Sequence, residues 1–177
     1  MISYEYISQA ACRTISKTSK TDPFLICEAL GIITLFEPMG TFSGACKGFF
    51  LSQSRKSAIT INSDLSEELQ RIICAHELGH AVLHRKGAGL KTFHDFMLFD
   101  TVSHYEYEAN LFAAELLLRD KEVMAVLNDD LSFFQAAQAL NVPAELLDFK
   151  FRAMKQKGYK LDAPIKAHSD FLKNVKG

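Results

Sequence analysis

The sequence lacks most of the features that mark secreted, membrane or disulfide-rich proteins. Its 177 residues include no tryptophan and only four cysteines, and these form no Cys-x-x-Cys pair. Scattered cysteines of this kind indicate reduced, mostly buried thiols in a cytoplasmic protein. No apolar run approaches the roughly 20 residues of a membrane span, and the first residues show no signal-peptide pattern. We therefore expect a cytoplasmic chain without a membrane segment.

The chain also lacks a charge of one sign. It has 20 Lys and Arg against 21 Asp and Glu, a formal net charge of −1. No basic field therefore points to nucleic acid or to an anionic membrane surface. The C-terminal helical segment, about residues 132–157, mixes both signs and has no basic recognition face until its very end. We expect no direct nucleic-acid binding.

What the sequence does contain predicts one α+β domain over residues 1–177. A small, mainly antiparallel sheet forms early in the chain and packs on a helical body. Residues 1–45 match no known pattern, residues 90–102 are expected to be irregular with a short helix around 93–99, and the polar tail at about 158–177 is expected to be loosely packed. The predicted strands are 32–36, 48–52 and 57–62, and the predicted helices are 3–16, 22–30, 66–84, 106–118, 121–127, 133–140 and 144–157.

The motif His-Glu-x-x-His, from His76 to His80, lies within the longest predicted helix. On a helix the two histidines are one turn apart, with side chains on the same face about 6 Å from each other. Glu77 lies about 100° round the helix, where a carboxylate can reach a water without taking a metal position. The motif on a helix is the signature of zincin peptidases, so the spacing predicts a catalytic zinc site.

A catalytic zinc site needs a third protein ligand. His84 does not suit, because it would lie about 12 Å from His76 along one straight helix; it is expected to cap the helix end or to line the pocket. Cys74 points roughly 140° away from the histidines. The downstream side chains that can bind a metal are His84, His94, Asp95, Asp100, His104, Glu106 and Glu108.

Helical periodicity separates the two glutamates among these candidates. Glu106 shares a face with Asn110 and with small and apolar residues, and this face is expected to point inward. Glu108 lies with Glu115 on the face that we expect to be solvated. A carboxylate that points into a core needs a cation, so Glu106 is the predicted third ligand, unless it caps the start of its helix. Asn110 is predicted to hold a ligand imidazole in its tautomer, or else to be partly exposed.

Three stretches taken together resemble the ImmA/IrrE family of metallopeptidases. They are Ile-Thr-Ile-Asn at 59–62, the motif with its continuation at 76–84, and Glu-Tyr-Glu-Ala-Asn with the following residues at 106–117. The resemblance extends weakly to 134–143. It departs from the family at 118–120, where Leu-Arg-Asp stands in place of the usual Met-Pro; this is expected to alter the helix end but not the chemistry.

The resemblance implies roles for four residues. His76, His80 and Glu106 would hold zinc, and Glu77 would be the catalytic acid/base in peptide hydrolysis by water that the metal activates. Manganese or iron can occupy the same ligands. Donors to the oxyanion are expected among the residues His94, His104, Tyr105 and Tyr107. The substrate is expected to add a strand to a sheet edge at 48–52 or 58–61.

The resemblance also implies a partner. Members of the family cut or relieve a helix-turn-helix repressor in phages, integrative elements or stress responses of bacteria. The predicted substrate is accordingly a small DNA-binding repressor. A different class of function stays open: a binding module, anti-repressor or antitoxin-like, that sequesters its partner without proteolysis around a structural metal. Structural zinc usually has four protein ligands, and no fourth is evident in the sequence.

Overall fold

The structure is a computed structural model that describes residues 2–53, 56–84, 93–95, 103–127 and 131–161. Its helices are α1 (Tyr4–Thr18), α2 (Pro23–Ala29), α3 (Glu67–Leu83), α4 (His104–Leu117), α5 (Asp120–Leu127), α6 (Phe133–Ala139) and α7 (Ala144–Gln156). Its strands are β1 (Ile32–Glu37), β2 (Gly48–Gln53), β3 (Lys56–Asn62) and β4 (Phe93–Asp95). This arrangement confirms the predicted α+β class. Within the described residues, no helix combines the length and the apolar character needed to cross a membrane.

The strands form one mixed sheet in the order β1-β3-β2-β4. The predicted hairpin of β2 and β3 is confirmed, and β4 adds antiparallel to β2 opposite Gly48 to Phe50. β1 pairs in parallel with β3. The prediction that 58–61 offers a free edge is therefore wrong. β3 is an interior strand, with β1 paired along one edge and β2 along the other, and most of its residues are buried.

The prediction for residues 90–102 is partly wrong. Phe93 to Asp95, expected near a short helix, instead forms strand β4, because the ladder of β2 offers backbone hydrogen bonds there. Residues 96–99, the rest of that expected helix, lie outside the described residues. Most of the predicted polar tail, residues 162–177, lies outside them as well.

Short polar side chains begin most of the helices, as the sequence pattern indicates. Asp22 accepts hydrogen bonds from the first backbone N–H groups of α2, which starts at Pro23. Ser66 caps α3 and Ser103 caps α4, each through its hydroxyl oxygen. Because Ser103 provides this cap, α4 begins at His104, two residues before its predicted start.

From Glu108 onward helix α4 lies at the centre of the helical body with its side chains largely buried, whereas His104 and Tyr105 at its start are exposed. It packs against α3 on one face and against α1 and α7 on others. The prediction of a solvated face is therefore wrong: the Glu108 side chain is 1% exposed and that of Glu115 is 4% exposed. A helical wheel records only the periodicity of its own helix, and here α1 and α7 cover the face that the wheel assigns to solvent.

The buried Glu115 is held in a network of ion pairs. Its carboxylate accepts from Lys150 at 2.7 Å, from Lys157 at 2.6 Å and from the Ser8 hydroxyl at 2.6 Å. Burial alone would raise the pKa of the Glu115 carboxyl, but the charge of Lys150 and these hydrogen bonds hold it below its ordinary value. Lys150 also lies 2.6 Å from Asp120. The network ties α1, α4, α5 and α7 together.

Lys150→Met is expected to lower the free energy of unfolding by about 3 kcal/mol, because it leaves buried carboxylates with less compensating charge. Urea unfolding of the metal-free protein measures this change. Lys155→Met, at an exposed position of the same helix, is the matched control and should shift stability by less than about 0.5 kcal/mol. Equal effects of the two substitutions would show that the buried network does not stabilise the fold.

Candidate metal centre

The site is built where α3 and α4 approach each other at Gly79. A Cβ atom added to Gly79 would lie 3.1 Å from the Ala109 Cα and 3.2 Å from the Ala109 carbonyl oxygen. Only a residue without a side chain allows the two backbones to come this close without a shift. Gly79 lies between His76 and His80, so this close contact of the two helices falls within the motif itself.

This contact brings three predicted ligands together. The His76 Nε2 lies 3.1 Å from the Glu106 Oε2, the His80 Nε2 lies 3.4 Å from the same oxygen, and the two Nε2 atoms are 3.1 Å apart. Within the described residues these side chains form the one group of three with potential ligand atoms close enough to share a metal ion. Ligands of a tetrahedral zinc at about 2.0–2.1 Å would lie about 3.3 Å from each other. The donor set and its spacing therefore fit a divalent metal.

The Glu106 side chain is 18% exposed, whereas both histidines are fully buried. Burial lowers the pKa of His80. For Glu106, burial alone would raise the pKa of the carboxyl, but hydrogen bonds with His76 and His80, and the positive charge of either ring when it is protonated, hold the pKa well below its usual range. The alternative role as a helix cap does not apply, because Ser103 accepts from the Tyr105 N–H while the Glu106 carboxylate faces the histidines.

Asn110 lies where the sequence predicts it. Its Oδ1 is 2.8 Å from the His76 Nδ1, and the residue is fully buried, so the expectation of a partly exposed side chain is wrong. An amide oxygen accepts a hydrogen bond, which assigns the proton of His76 to Nδ1 and leaves Nε2 for the site. Glu77, next to His76 on α3, is also fully buried.

His84 and Cys74 are not in the ligand group. His84 is buried, with its Nδ1 3.0 Å from the His80 Nδ1 and its Nε2 3.0 Å from the Glu108 Oε2. The sequence pattern missed this contact with Glu108. The sequence does contain a signal for the contact between His84 and His80, because a spacing of four residues places both histidines on one face of a helix. The Cys74 sulfur lies 3.8 Å from that of Cys27, and a hydrogen bond with Cys27 together with burial raises the pKa of the Cys74 thiol.

The candidate oxyanion donors differ in their surroundings. The Tyr107 hydroxyl is hydrogen-bonded to that of Tyr4, which directs it toward α1. Tyr105 is 41% exposed, and its ring centre is 5.0 Å from that of His84 and 4.1 Å from that of His104. The side chain of the remaining candidate, His94, lies outside the described residues.

Comparisons with known proteins show the family of this chain. A family model described as the IrrE N-terminal-like domain matches residues 27–152, which include the whole ligand group. The chain is 32% identical over 150 residues to the metallopeptidase ImmA of Bacillus subtilis (strain 168), a match that covers 78% of this chain and 80% of the relative. The chain belongs to the ImmA/IrrE family of metallopeptidases. Membership in this family implies a divalent metal, typically zinc.

A second relative comes from a phage. It is the uncharacterized immunity region protein 2 of Bacillus phage phi105, which is 34% identical over 147 residues. The match covers 83% of this chain and 90% of the relative. Together the relatives and the family model cover both helices that carry the ligands.

The contact at Gly79 gives a testable prediction. Alanine is favoured over glycine within a helix by about 1 kcal/mol, yet Gly79→Ala is expected to lower the stability of the protein. The added Cβ would press on the Ala109 backbone, move α3 from α4 and separate Glu106 from the histidines. We expect zinc affinity to fall by about tenfold in a chelator competition, since ligand positions must be held within about 0.5 Å.

Glu67→Ala, at an exposed position of the same helix, is the control for this substitution and should leave zinc affinity unchanged. A Gly79→Ala variant that is more stable than the wild type and binds zinc equally well would contradict the role of the close helix contact.

Proposed function

We propose that this chain is a zinc-dependent endopeptidase in which His76, His80 and Glu106 hold the metal and Glu77 is the catalytic acid/base. The observation that supports this most directly is the convergence of the three ligand atoms, which lie 3.1 to 3.4 Å from each other. Two neutral imidazoles and one carboxylate are a donor set typical of catalytic zinc, with one position left for water.

Zinc in such a site acts as a Lewis acid and lowers the pKa of a bound water to about 7. Glu77 accepts the proton of the attacking water and passes it to the leaving amine. Its place beside His76, outside the ligand group, suits a carboxylate that moves a proton without holding the metal. Asn110 keeps the His76 ring in the tautomer that presents Nε2 to the site.

We assign stabilisation of the oxyanion to Tyr105 or His104 rather than to Tyr107. A donor to the oxyanion must be able to face the reacting carbonyl group. Tyr105 and His104 are exposed at the start of α4, one and two residues from Glu106. The Tyr107 hydroxyl is engaged by Tyr4 on the side of α1.

The proposed substrate is a helix-turn-helix repressor of a phage, a mobile element or a stress response. The printed names of the two relatives support this reading, since one is the metallopeptidase ImmA and the other is a protein of a phage immunity region. None of the four cysteines is in a disulfide bond, which supports a proposed site of action in the reducing cytoplasm.

Glu77→Gln tests the chemistry. The substitution removes the proton acceptor but no ligand, so bound zinc is expected to stay near one equivalent while cleavage is lost by at least about a thousandfold. The assay incubates the purified protein with each helix-turn-helix repressor of its own genome and follows the intact repressor on a gel. Cleavage at the wild-type rate by the Glu77→Gln variant would exclude the proposed mechanism.

Glu106→Ala tests the ligand set. It is expected to abolish stoichiometric zinc binding, measured by metal analysis after dialysis, because only two protein ligands remain. Glu122→Ala, which removes an exposed carboxylate of α5, should retain the metal. Loss of zinc from a Glu108 variant with full retention in Glu106→Ala would overturn the assignment of the third ligand.

The alternative function, sequestration of the partner around a structural metal, predicts a different result in the cleavage assay. The repressor would stay intact and would elute with the wild-type protein as a stable one-to-one complex. The geometry favours the peptidase, because the group of possible ligands in the described residues has three members rather than the four that close a structural zinc site.

A further inference from the structure

A chain of hydrogen-bonding groups leads from the predicted ligand His80 away from the metal centre. The His80 Nδ1 lies 3.0 Å from the His84 Nδ1, and the His84 Nε2 lies 3.0 Å from the Glu108 Oε2. The other carboxylate oxygen, Oε1, accepts a hydrogen bond of 2.5 Å from the backbone N–H of Ile2. This series of hydrogen bonds therefore runs from α3 to α4 and on to Ile2, the residue before the cap of α1.

The chemistry of these groups fixes the direction of each hydrogen bond. The carboxylate of Glu108 only accepts, so the His84 Nε2 carries the proton that is donated to it. The neutral ring of His84 then has an acceptor at Nδ1, which faces His80. A proton on the His80 Nδ1 completes this contact, and it leaves the His80 Nε2 unprotonated toward Glu106 and His76.

The three side chains of this arrangement are buried, so each of its hydrogen bonds is needed to offset the cost of removing polar groups from water. His80, His84 and Glu108 are all nearly inaccessible to solvent. A buried carboxylate is costly unless strong hydrogen bonds compensate it, and Glu108 has one on each oxygen. The face of α4 that the sequence assigns to solvent thus carries a charged group whose contacts lead to the site.

The two ligand histidines are then oriented by the same helix in two different ways. Asn110 contacts His76 directly at 2.8 Å, whereas Glu108 reaches His80 through the ring of His84. The Glu106 carboxylate lies 3.1 Å from the Nε2 of one ring and 3.4 Å from the Nε2 of the other. Three polar residues of α4, spaced by two, therefore define the orientation of the whole ligand group.

We propose that His84 and Glu108 are positioning residues that hold His80 in the tautomer and ring orientation required to bind the metal. This inference rests on the proposed function, because it takes His80 as a ligand. Neither residue contacts the reacting atoms; both act through the imidazole of His80. Loss of partners of this kind typically weakens metal binding by 10- to 100-fold.

The first test uses the wild-type protein loaded with zinc. Long-range ¹H–¹⁵N correlation spectra report which nitrogen of each histidine carries the proton. We expect His84 as the neutral Nε2–H tautomer and His80 with its proton on Nδ1. A His84 ring with its proton on Nδ1, or a doubly protonated His84, would overturn the proposal whether or not any variant folds.

The second test compares His84→Phe and Glu108→Leu with Glu115→Leu. Glu115 is the matched control because it is a buried carboxylate of the same helix whose hydrogen bonds lead to Lys150 and Lys157 instead. We expect His84→Phe and Glu108→Leu to bind zinc 10- to 100-fold more weakly in a chelator competition and to change the absorption spectrum of bound cobalt. Glu115→Leu should lower the urea midpoint but leave zinc affinity within about twofold.

The outcomes separate this inference from the proposed function. Wild-type zinc affinity and an unchanged cobalt spectrum in both His84→Phe and Glu108→Leu would overturn the positioning role alone. Retention of zinc by Glu106→Ala would instead remove the ligand set on which both proposals depend. An equal loss of affinity in Glu115→Leu would show that the effect reflects general destabilisation of α4 and would also overturn the positioning role.

Discussion

The structure depends on one close contact, the approach of α3 and α4 at Gly79. Each helix carries only part of the ligand group, so neither has a metal site alone. The absence of a side chain at Gly79 lets the Ala109 backbone come within contact distance, and this sets the spacing of His76, His80 and Glu106. The sheet and the remaining helices surround this pair and keep it from separating. The absence of a side chain at Gly79 is thus required both for the packing of the two helices and for the spacing of the three predicted ligands.

Helix α4 departs from the usual division between an apolar face and a polar face. Its polar residues Glu106, Glu108, Asn110 and Glu115 have largely buried side chains, and each contacts a polar side chain outside α4. Glu106 and Asn110 reach the histidines, Glu108 reaches His84, and Glu115 binds the lysines of α7. Because buried charge is costly when a partner is lost, these contacts favour one arrangement of the helices over nearby alternatives. Specificity of packing and organisation of the site therefore come from the same residues.

Much of the fold and the core of the site were predictable from sequence, because they depend on local patterns. The spacing of His76 and His80, and the shared face of Glu106 and Asn110, follow from the geometry of single helices. The surroundings of Glu108 and Glu115 did not follow, since α1 and α7 cover them and contribute nothing to the periodicity of α4. The interior position of β3 also escaped prediction, because it depends on parallel pairing with β1, which short-range patterns do not encode. The errors lie where distant segments meet.

The contacts of α1 with α4 join residues more than 100 positions apart, as in Ile2 with Glu108 and Ser8 with Glu115. At about 5–20 residues per second, a ribosome needs roughly 5–20 s to make the intervening chain. A helix of 15 residues is marginal in water until it packs, so α1 must wait for its binding surface throughout that time. Because α1 leaves the ribosome before α4 does, it gains these stabilising contacts only after α4 has been made.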